Sequence, residues 1–304
     1  MKRVLVTGGA GFIGAHLVER LTRDSDVHVT VLDNLRRGRI QALDTACPRI
    51  TFIEGDIRDY AAVCAAAAGV SLVYHLAAEA SVLGAVASID YSFATNVAGT
   101  FHVLKGARAA GAQRVVFTSS REVYGEPAFL PVNEDAPLCP KNVYGASKAA
   151  AEMYCSCFNG QGIETVVLRL ANVYGPGDRD RVIPLFVERA LKNQPLTIYG
   201  VEKLLDFVWV GDVIDALVAA GHREVAGRRM NIGSGRGTRL EELAARILQL
   251  TDRGGPVLQE PARSPEVDRY VADIGLAAKL LNYRPASDPL SHLADVLASA
   301  GQER

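Results

Sequence analysis

The sequence predicts an α/β protein, a doubly wound parallel sheet with a smaller, discontinuous C-terminal substrate lobe. Apolar runs typical of buried strands alternate with segments of helical periodicity through the first half of the 304 residues. This is the pattern of a parallel sheet covered by helices. A glycine-rich turn joins the first strand to the first helix. Beyond residue 176 the alternation breaks, and proline, glycine and charge become denser, so we expect the chain to leave the sheet there.

The composition excludes several classes of protein. Hydrophobic residues make up 49% of the chain and the formal net charge is −1, which gives no reason to expect a nucleic-acid or membrane partner. No apolar run approaches the roughly 20 residues that span a bilayer. The sequence opens on a strand rather than a signal peptide, so we expect a cytoplasmic protein. The five cysteines are scattered and the six histidines lie far apart, which predicts reduced thiols and no metal site.

The turn after the first strand carries glycines at positions 8, 11 and 14. They let the backbone turn tightly and approach a ligand, and the helix that follows presents free N–H groups to a phosphate. The spacing is G-x-x-G-x-x-G rather than the G-x-G-x-x-G of typical dinucleotide dehydrogenases. Taken alone, this segment also fits a turn without a ligand.

The second strand supports a dinucleotide ligand because it ends at Asp33, about 20–25 residues beyond the first glycine. A carboxylate at such a position hydrogen-bonds the adenosine ribose hydroxyls and repels the 2′-phosphate of NADP. The sequence therefore predicts NAD as the cofactor. Arg36 and Arg37 follow closely, and they either soften this preference or are solvated loop cations.

Two further strands are expected before residue 80. The turn after the first of them places Asp56 and Ile57 either beside the adenine ring or, for Asp56, at the cap of the alanine-rich helix that follows. After the second strand, Ala77 and Ala78 are small enough for a cofactor to lie against the backbone.

The candidate catalytic residues follow the fifth strand. A long helix is expected at residues 91–110, where Asn96 either faces water or supports the site from below. The fifth strand ends in Ser120 at the carboxyl edge of the sheet, where open α/β sheets bind ligands. Tyr144 and Lys148 share one helix face at i and i+4. An ammonium beside the phenol moves the tyrosine pKa from about 10 toward neutrality, where tyrosine acts as a general base.

Together these segments resemble the extended short-chain dehydrogenase/reductase family, and within it the branch of nucleotide-sugar epimerases and dehydratases. The resemblance covers nearly the whole chain. Its marks occur in the family's order and spacing, at residues 7–14, 33–35, 55–57, 75–78, 96–100, 119–120, 144–148 and 172–176. Each segment alone is a weak indication of the family, whereas their combination in this order is specific for it.

The resemblance implies a Rossmann NAD-binding domain over residues 1–175, to which 206–235 return, and a nucleotide-sugar-binding lobe formed by 176–205 and 236–304. It implies that Tyr144 takes a proton from a sugar hydroxyl, that Lys148 holds the nicotinamide ribose, and that Ser120 hydrogen-bonds the same sugar oxygen. The implied cofactor contacts are Gly8, Gly11, Phe12, Ile13, Gly14, Asp33, Asn34, Asp56, Ile57, Leu76, Ala77, Ala78, Asn96, Tyr144 and Lys148. The implied substrate contacts are Ser81, Ser120, Arg121, Glu122, Tyr144, Asn172, Arg181 and Arg263.

One departure from the family's pattern lies directly after the fifth strand. The 4,6-dehydratases use an adjacent Asp-Glu pair, and this chain has Arg121 and Glu122 there. Arginine cannot be a general acid at neutral pH, so 4,6-dehydration is disfavoured. Decarboxylases of nucleotide-linked glucuronate also carry glutamate at this position, which makes Glu122 a candidate catalytic residue. Arg121 either meets a uronate carboxylate or forms a surface ion pair with Glu122.

A second departure concerns the substrate diphosphate. The family usually has an arginine before an Asp-Phe pair, where it grips the diphosphate, and this chain has Leu205 there. Arg263, Lys203 and Arg181 are the cations expected to replace it.

The sequence therefore predicts an NAD-dependent nucleotide-sugar 4-epimerase, UDP-linked, acting on glucose/galactose or the corresponding uronic acids through a transient 4-keto sugar. The alternatives are a dehydratase or UDP-glucuronate decarboxylase that uses Glu122 and, from another class, a non-catalytic NAD-sensing protein. The family also implies a homodimer formed by the helices near residues 91–110 and 144–159.

Overall fold

The computed structural model describes residues 2–252 and 255–302. Within that part of the chain, the strands are β1 (Lys2–Thr7), β2 (Val27–Asp33), β3 (Ile50–Glu54), β4 (Leu72–His75), β5 (Arg114–Ser120), β6 (Glu164–Leu170), β7 (Asn172–Tyr174), β8 (Leu196–Tyr199), β9 (Leu204–Trp209), β10 (Arg229–Ile232), β11 (Gly237–Arg239) and β12 (Val257–Glu260). The α-helices are α1 (Phe12–Thr22), α2 (Tyr60–Ala67), α3 (Val82–Ala87), α4 (Ile89–Phe93), α5 (Thr100–Ala109), α6 (Val143–Phe158), α7 (Val182–Leu191), α8 (Val210–His222), α9 (Leu240–Thr251), α10 (Gly275–Leu281) and α11 (Leu293–Gln302). No helix in these ranges is both long enough and apolar enough to cross a membrane.

The main sheet has seven parallel strands in the order β10-β6-β5-β4-β1-β2-β3, which confirms the predicted doubly wound architecture. The strand order reverses direction beside β1, which lies between β2 and β4. Thr7 pairs with Leu32 on one side and with His75 on the other, so the three strands end level with one another. Ligands of such sheets bind in the crevice at this reversal, outside the carboxyl ends of the strands.

Alternate side chains of each strand supply two cores, because successive residues of a strand point to opposite faces. Val4 and Val6 belong to the core under α1 and α8, whereas Leu5 belongs to the core under α2, α5 and α6. Helices therefore cover both faces of the sheet, and the central parts of its strands are rich in buried apolar residues, as expected for a buried parallel sheet.

A third core marks the smaller lobe. Phe186 of α7 and Leu205 and Phe207 of β9 pack there with side chains from α9 and α11. The sequence suggested that the strand near Asp206 returns to the main sheet. In the structure β9 instead pairs with β7 and β11 in a separate three-stranded sheet, since its apolar side chains fill the core of this lobe. The elements that do return are α8, which packs on β4, β5 and β6, and β10, which pairs with β6.

The long helix expected at residues 91–110 is interrupted. A π-helical segment, Ala94–Gly99, separates α4 from α5. Gly99 lies against Ile57, and an added Cβ would come within 2.7 Å of that side chain. The wider turn buries Asn96, and such π-bulges are frequent at functional sites.

Candidate active site

A cavity of about 1410 Å³ runs along the carboxyl edge of the main sheet and continues into the smaller lobe. Its walls include the glycine turn after β1, the ends of β2, β4 and β5, the first turns of α6, and residues of β7, α7 and β9. This volume exceeds the range of about 300–1,000 Å³ for a pocket that holds one drug-sized ligand. It is large enough for a dinucleotide and a second ligand side by side.

The glycine turn forms a backbone cradle at one end of the cavity. Gly8 has a φ of +72°, and an added Cβ would come within 2.6 Å of the Ala77 backbone nitrogen. A Cβ on Gly14 would collide with the carbonyl oxygen of Gly8. The residue that precedes α1, Gly11, offers no side-chain cap, so the first N–H groups of the helix remain available to a phosphate.

Asp33, the predicted ribose ligand, stands at the adjacent rim of the cavity. Its Oδ2 accepts a hydrogen bond from the Ala10 N–H (3.0 Å) and its Oδ1 accepts one from the Leu35 N–H (2.9 Å). Burial raises the pKa of this carboxyl group, and the two backbone hydrogen bonds oppose that effect.

The two arginines that follow Asp33 are engaged by neighbouring side chains. The Arg36 guanidinium lies 4.0 Å from the centre of the Tyr91 ring, and Arg37 pairs with Asp180 at 3.5 Å.

Most of the predicted cofactor residues line the cavity: Gly8, Gly11, Phe12, Ile13, Gly14, Asp33, Asn34, Ile57, Leu76, Ala77, Ala78, Tyr144 and Lys148. Asp56 is turned to its neighbours instead, with an ion pair to Arg58 at 2.8 Å and a hydrogen bond from Asn34 at 2.8 Å. Burial raises the pKa of Asp56, but the hydrogen bonds from Arg58 and Asn34 outweigh burial and lower the pKa to about 2. The alternative role as helix cap is wrong, because Asp59 caps α2 by accepting from the Ala61 N–H.

Asn96 lies behind the cavity wall rather than on it. Its amide donates to the Glu79 carbonyl oxygen (3.0 Å) and to Ser147 Oγ (2.9 Å), and its Oδ1 accepts from the Glu79 N–H (2.8 Å). The side chain therefore braces the loop after β4 against α6, in agreement with a supporting position.

The predicted catalytic residues converge in the middle of the cavity. Ser120 is the last residue of β5, and Tyr144 and Lys148 lie on the first turns of α6, with all three on the cavity wall. Ser120 hydrogen-bonds Tyr144. The Lys148 ammonium donates to the Thr118 carbonyl oxygen at 2.9 Å. Burial lowers the pKa of Lys148 to about 8, against the opposing effect of Cys155 and Glu152.

Lys148 is not among the groups that lower the pKa of the Tyr144 phenol, contrary to the expected effect. Burial raises the pKa of Tyr144 above its usual value, and the groups that oppose burial are the Ser120 hydrogen bond and the guanidinium charges of Arg181 and Arg121. Lys148 Nζ donates to the backbone of β5 and is not among the groups that oppose burial at the phenol.

Arg121 and Glu122 form a buried pair rather than the surface ion pair considered above. They lie in a short 3₁₀ turn after β5, are only 9% and 5% exposed, and line the cavity. Arg121 Nη2 is 2.9 Å from Glu122 Oε1, and the other carboxylate oxygen accepts a hydrogen bond from Asn142 Nδ2 at 2.7 Å. Arg121 Nη1 has no hydrogen-bond partner among the residues that the structure describes.

The predicted substrate contacts also border the cavity, together with Leu205 and Lys203. Asn172 Nδ2 donates to the Asp206 carbonyl oxygen at 3.0 Å. The Arg263 guanidinium lies 3.6 Å from the centre of the Tyr199 ring. Lys203 Nζ is 2.6 Å from Glu266 Oε2.

The loop after β7 connects the substrate side of the cavity to the cofactor turn. Arg181 lies 5.9 Å from the centre of the Phe12 ring and pairs with Asp178 at 3.4 Å. Beside this contact, His16 Nε2 hydrogen-bonds the Pro176 carbonyl oxygen at 2.9 Å.

The sequence analysis did not identify two residues of the site. Asn142 caps α6 by accepting from the Gly145 N–H at 2.8 Å, and an asparagine just before a predicted helix is a signal that could have identified it. Asp178 lines the cavity, and burial raises its pKa to about 6 despite the opposing charge of Arg181. Nothing in the local sequence distinguishes this buried aspartate from its exposed neighbour Asp180.

Comparison with known proteins identifies the family of the chain. The model of the NAD dependent epimerase/dehydratase family matches residues 4–233. The chain belongs to this family. A putative UDP-glucose 4-epimerase of Methanocaldococcus jannaschii is 37% identical over 294 residues, which cover 94% of each chain. UDP-glucuronic acid decarboxylase 1 of Xenopus tropicalis is 33% identical over 296 residues, or 93% of this chain and 68% of the relative. The crystal structure of Thermus thermophilus UDP-glucose 4-epimerase in complex with NAD is 33% identical, with a TM-score of 0.90 and 98% coverage of both chains.

Family membership makes the chain an NAD-dependent enzyme of the nucleotide-sugar epimerase and dehydratase type, and the residues present fit that cofactor. The glycine cradle leaves no room for a Cβ at Gly8 or Gly14, the start of α1 faces the cavity, and Asp33 on the cavity wall would provide the carboxylate for the ribose hydroxyls. The relatives include both epimerases and decarboxylases, so the reaction itself has to be argued from the catalytic residues.

Proposed function

We propose that the protein is a nucleotide-sugar 4-epimerase that acts on a UDP-hexose or UDP-hexuronic acid through a transient 4-keto sugar. One observation carries the proposal. Ser120, Tyr144 and Lys148 meet in the cavity that holds the glycine cradle, while the carboxylate of Glu122 is already engaged by Arg121 and Asn142. The chain thus has the groups for oxidation and reduction at C4, whereas the group for chemistry at C5 or C6 is held by other side chains.

The roles of the protein's own residues follow from their positions. Tyr144, in its phenolate form, takes the proton of the C4 hydroxyl and later returns it, and Ser120 hydrogen-bonds the same oxygen. Lys148 provides a buried ammonium beside Thr118 that holds the ribose of the cofactor. NAD held in this cavity would supply oxidation at C4 and reduction from the opposite face once the 4-keto sugar has turned, and the positive charge of its oxidised nicotinamide would favour the phenolate. Proton and hydride both return to the sugar, so the reaction has no net redox change.

The substrate side of the cavity supports a sugar joined to a diphosphate. Arg263, Arg181 and Lys203 border this region and would compensate for the missing arginine at Leu205. Arg121 supports the hexuronic branch of the proposal, because Nη1 of its buried guanidinium has no partner among the described residues. An unsatisfied buried donor is costly, and a sugar carboxylate would satisfy it.

The proposal is tested by NMR of the purified protein with UDP-glucose, UDP-galactose and UDP-glucuronate, without added cofactor. We expect inversion at C4 with unchanged mass, and a higher kcat/KM for the uronic acid if Arg121 contacts its carboxylate. Release of carbon dioxide or water would instead identify a decarboxylase or a dehydratase. No conversion of any sugar, with retained NAD binding, would favour the non-catalytic NAD-sensing protein.

A further inference from the structure

Glu122 contacts two parts of the catalytic centre, the end of β5 and the start of α6. Its backbone N–H donates to Ser120 Oγ at 3.2 Å, and its carboxylate accepts from Asn142 Nδ2 at 2.7 Å. Its carbonyl oxygen lies directly against the first turn of α6, so close to Gly145 that a Cβ there would collide with it. The residue therefore touches both the strand end that carries Ser120 and the helix that carries Tyr144.

Asn142 extends these contacts in two directions. Its Oδ1 caps α6 at the Gly145 N–H (2.8 Å), while its Nδ2 donates to Glu122 and also to the Pro265 carbonyl oxygen (2.9 Å). One amide thus connects the 3₁₀ turn after β5, the start of α6 and a segment of the C-terminal region. Asn142 is buried, with 9% of its surface exposed.

The segment that Asn142 reaches, residues 263–268, borders the substrate end of the cavity. Lys141, the neighbour of Asn142, donates to the Glu266 carbonyl oxygen at 2.7 Å. The Glu266 side chain lies 2.6 Å from Lys203 Nζ and 3.6 Å from Arg263 Nη1. A displacement of this segment would therefore move the cations that face the diphosphate.

We propose that Glu122 and Asn142 are positioning residues that act as one clamp, which fixes Tyr144 and Ser120 relative to the segment at 263–268. The inference rests on the proposed function, since it assigns roles for proton transfer at C4. A glutamate that removed a proton from C5 would become neutral, which would weaken the contacts with Arg121 and Asn142 that its ionised form accepts. As part of a clamp, Glu122 acts while it keeps the contacts with Arg121 and Asn142 that the structure shows.

The test is a double-mutant cycle with Asn142→Ser and Glu122→Gln. Serine is also a favoured N-cap residue, so Asn142→Ser keeps the cap of α6 and removes both amide donations. We expect each variant to lower kcat by about 10- to 100-fold through misplacement of the reacting groups and to weaken binding of UDP. Because Glu122 and Asn142 act through their shared contact, the double variant should lose no more kcat or UDP affinity than the more impaired single variant.

The matched control is Asn159→Ser at the opposite end of α6, where the side chain accepts a hydrogen bond from the Thr165 N–H. A rescue provides the second variant. Asn142→Asp keeps the cap but places a carboxylate against Glu122, and adding Glu122→Gln should restore part of the activity because the new amide donates to Asp. Recovery should be incomplete, since the donation to the Pro265 carbonyl oxygen stays lost. A proton-transfer role for Glu122 predicts no such rescue, a loss of about 10²–10⁴-fold in Glu122→Gln alone, and multiplicative effects.

The UDP measurement separates this inference from the proposed function. If the wild type converts no sugar, the 4-epimerase proposal fails, and calorimetric titration with UDP still tests the clamp. Non-additive losses of UDP affinity support it. Affinities and rates that match the Asn159→Ser control in every variant overturn it.

Discussion

Tyr144 is the residue on which turnover should depend most directly. Its phenol is buried beside Ser120 in the middle of the cavity. Tyr144→Phe removes the proton-transferring oxygen and keeps the ring, so we expect kcat to fall about 10²–10⁴-fold with little change in UDP affinity. Tyr154→Phe, on the exposed part of the same helix, is the control. Full activity of Tyr144→Phe would contradict the assigned role.

His75 should make the fold sensitive to acid. Its ring is fully buried between Thr7 and Thr100, and burial, with a smaller effect of the Lys148 charge, lowers its pKa from 6.5 to about 3. Between these two values the unfolded chain binds a proton that the folded chain excludes. Stability is therefore lost as the pH falls from 6.5 toward 3, by up to about 1.4 kcal/mol per pH unit from this group.

Chemical denaturation of wild type and His75→Gln at several pH values measures this effect. Glutamine carries no titratable proton in this range, so the variant's unfolding free energy should fall less steeply below pH 6.5. Parallel curves for the two proteins would show that another group causes the loss.

Residues also differ in how well the sequence reveals them. The glycine turn, Asp33 and the Tyr144–Lys148 pair were predictable, because backbone sterics and helix periodicity fix them locally. The surroundings of Arg121 and Glu122 were not, since a tight turn folds both side chains into a cavity whose other wall comes from distant segments. The pKa of Tyr144 depends on Arg181, which is distant in sequence.

Among the elements, α6 and β6 are joined by a buried ion pair. Arg169 Nη2 lies 2.7 Å from Glu152 Oε2, and Ser119 Oγ donates to the other carboxylate oxygen at 2.5 Å. Glu152 lies one helical turn beyond Lys148, and Ser119 precedes Ser120. The ion pair therefore holds α6 against β5 and β6, close to the end of β5 that carries Ser120.

Breaking this ion pair should be costly. Glu152→Gln leaves the guanidinium of Arg169 buried without a countercharge, for which we expect a loss of about 3–5 kcal/mol in the free energy of unfolding. Replacing both residues with methionine removes both charges and should recover much of that loss. Denaturant titration measures the difference, and equal stability of the single and double variants would contradict the argument.

Strand and helix types were easier to predict than their interruptions. Apolar runs identified β5 and β6, and helical spacing identified α6. The π-helical segment between α4 and α5 could not be predicted, because helical periodicity does not register one inserted residue, and Gly99 in this segment packs on Ile57, which is distant in sequence. The partner of β9 depends on the core of the smaller lobe, which local periodicity does not describe.

For the whole molecule, a face formed by α3, α4 and α6 leaves large apolar side chains exposed. Phe93 is 61% exposed and Met153 51%, and Leu83, Val86, Ile89 and Tyr154 are exposed as well. These helices contact one another, so the exposed side chains lie on neighbouring elements, and exposed apolar surface of this kind marks an interaction site. We propose that a second copy of the chain covers it, in agreement with the homodimer implied by the family resemblance.

Analytical ultracentrifugation tests this assembly. We expect a dimer for the wild type and a monomer for Phe93→Asp, because a charge at the centre of an apolar interface is not solvated. Phe129→Asp, at an 84% exposed position outside these helices, should remain dimeric. A wild type that sediments as a monomer would exclude this role for the face.

The contact of Arg181 with Phe12 gives the two ligands of the cavity a common wall. Phe12 follows the cofactor turn and Arg181 faces the substrate side, so whatever orders one should order the other. Such sharing makes binding cooperative, and thermodynamic linkage requires the effect to be reciprocal.

NAD should tighten the binding of UDP by the same factor by which UDP tightens the binding of NAD. Phe12→Ala should bring that factor close to one in calorimetric titrations, whereas an unchanged factor would place the communication elsewhere. The enzyme would then hold its coenzyme more firmly whenever a nucleotide sugar is bound than when the substrate side of the cavity is empty.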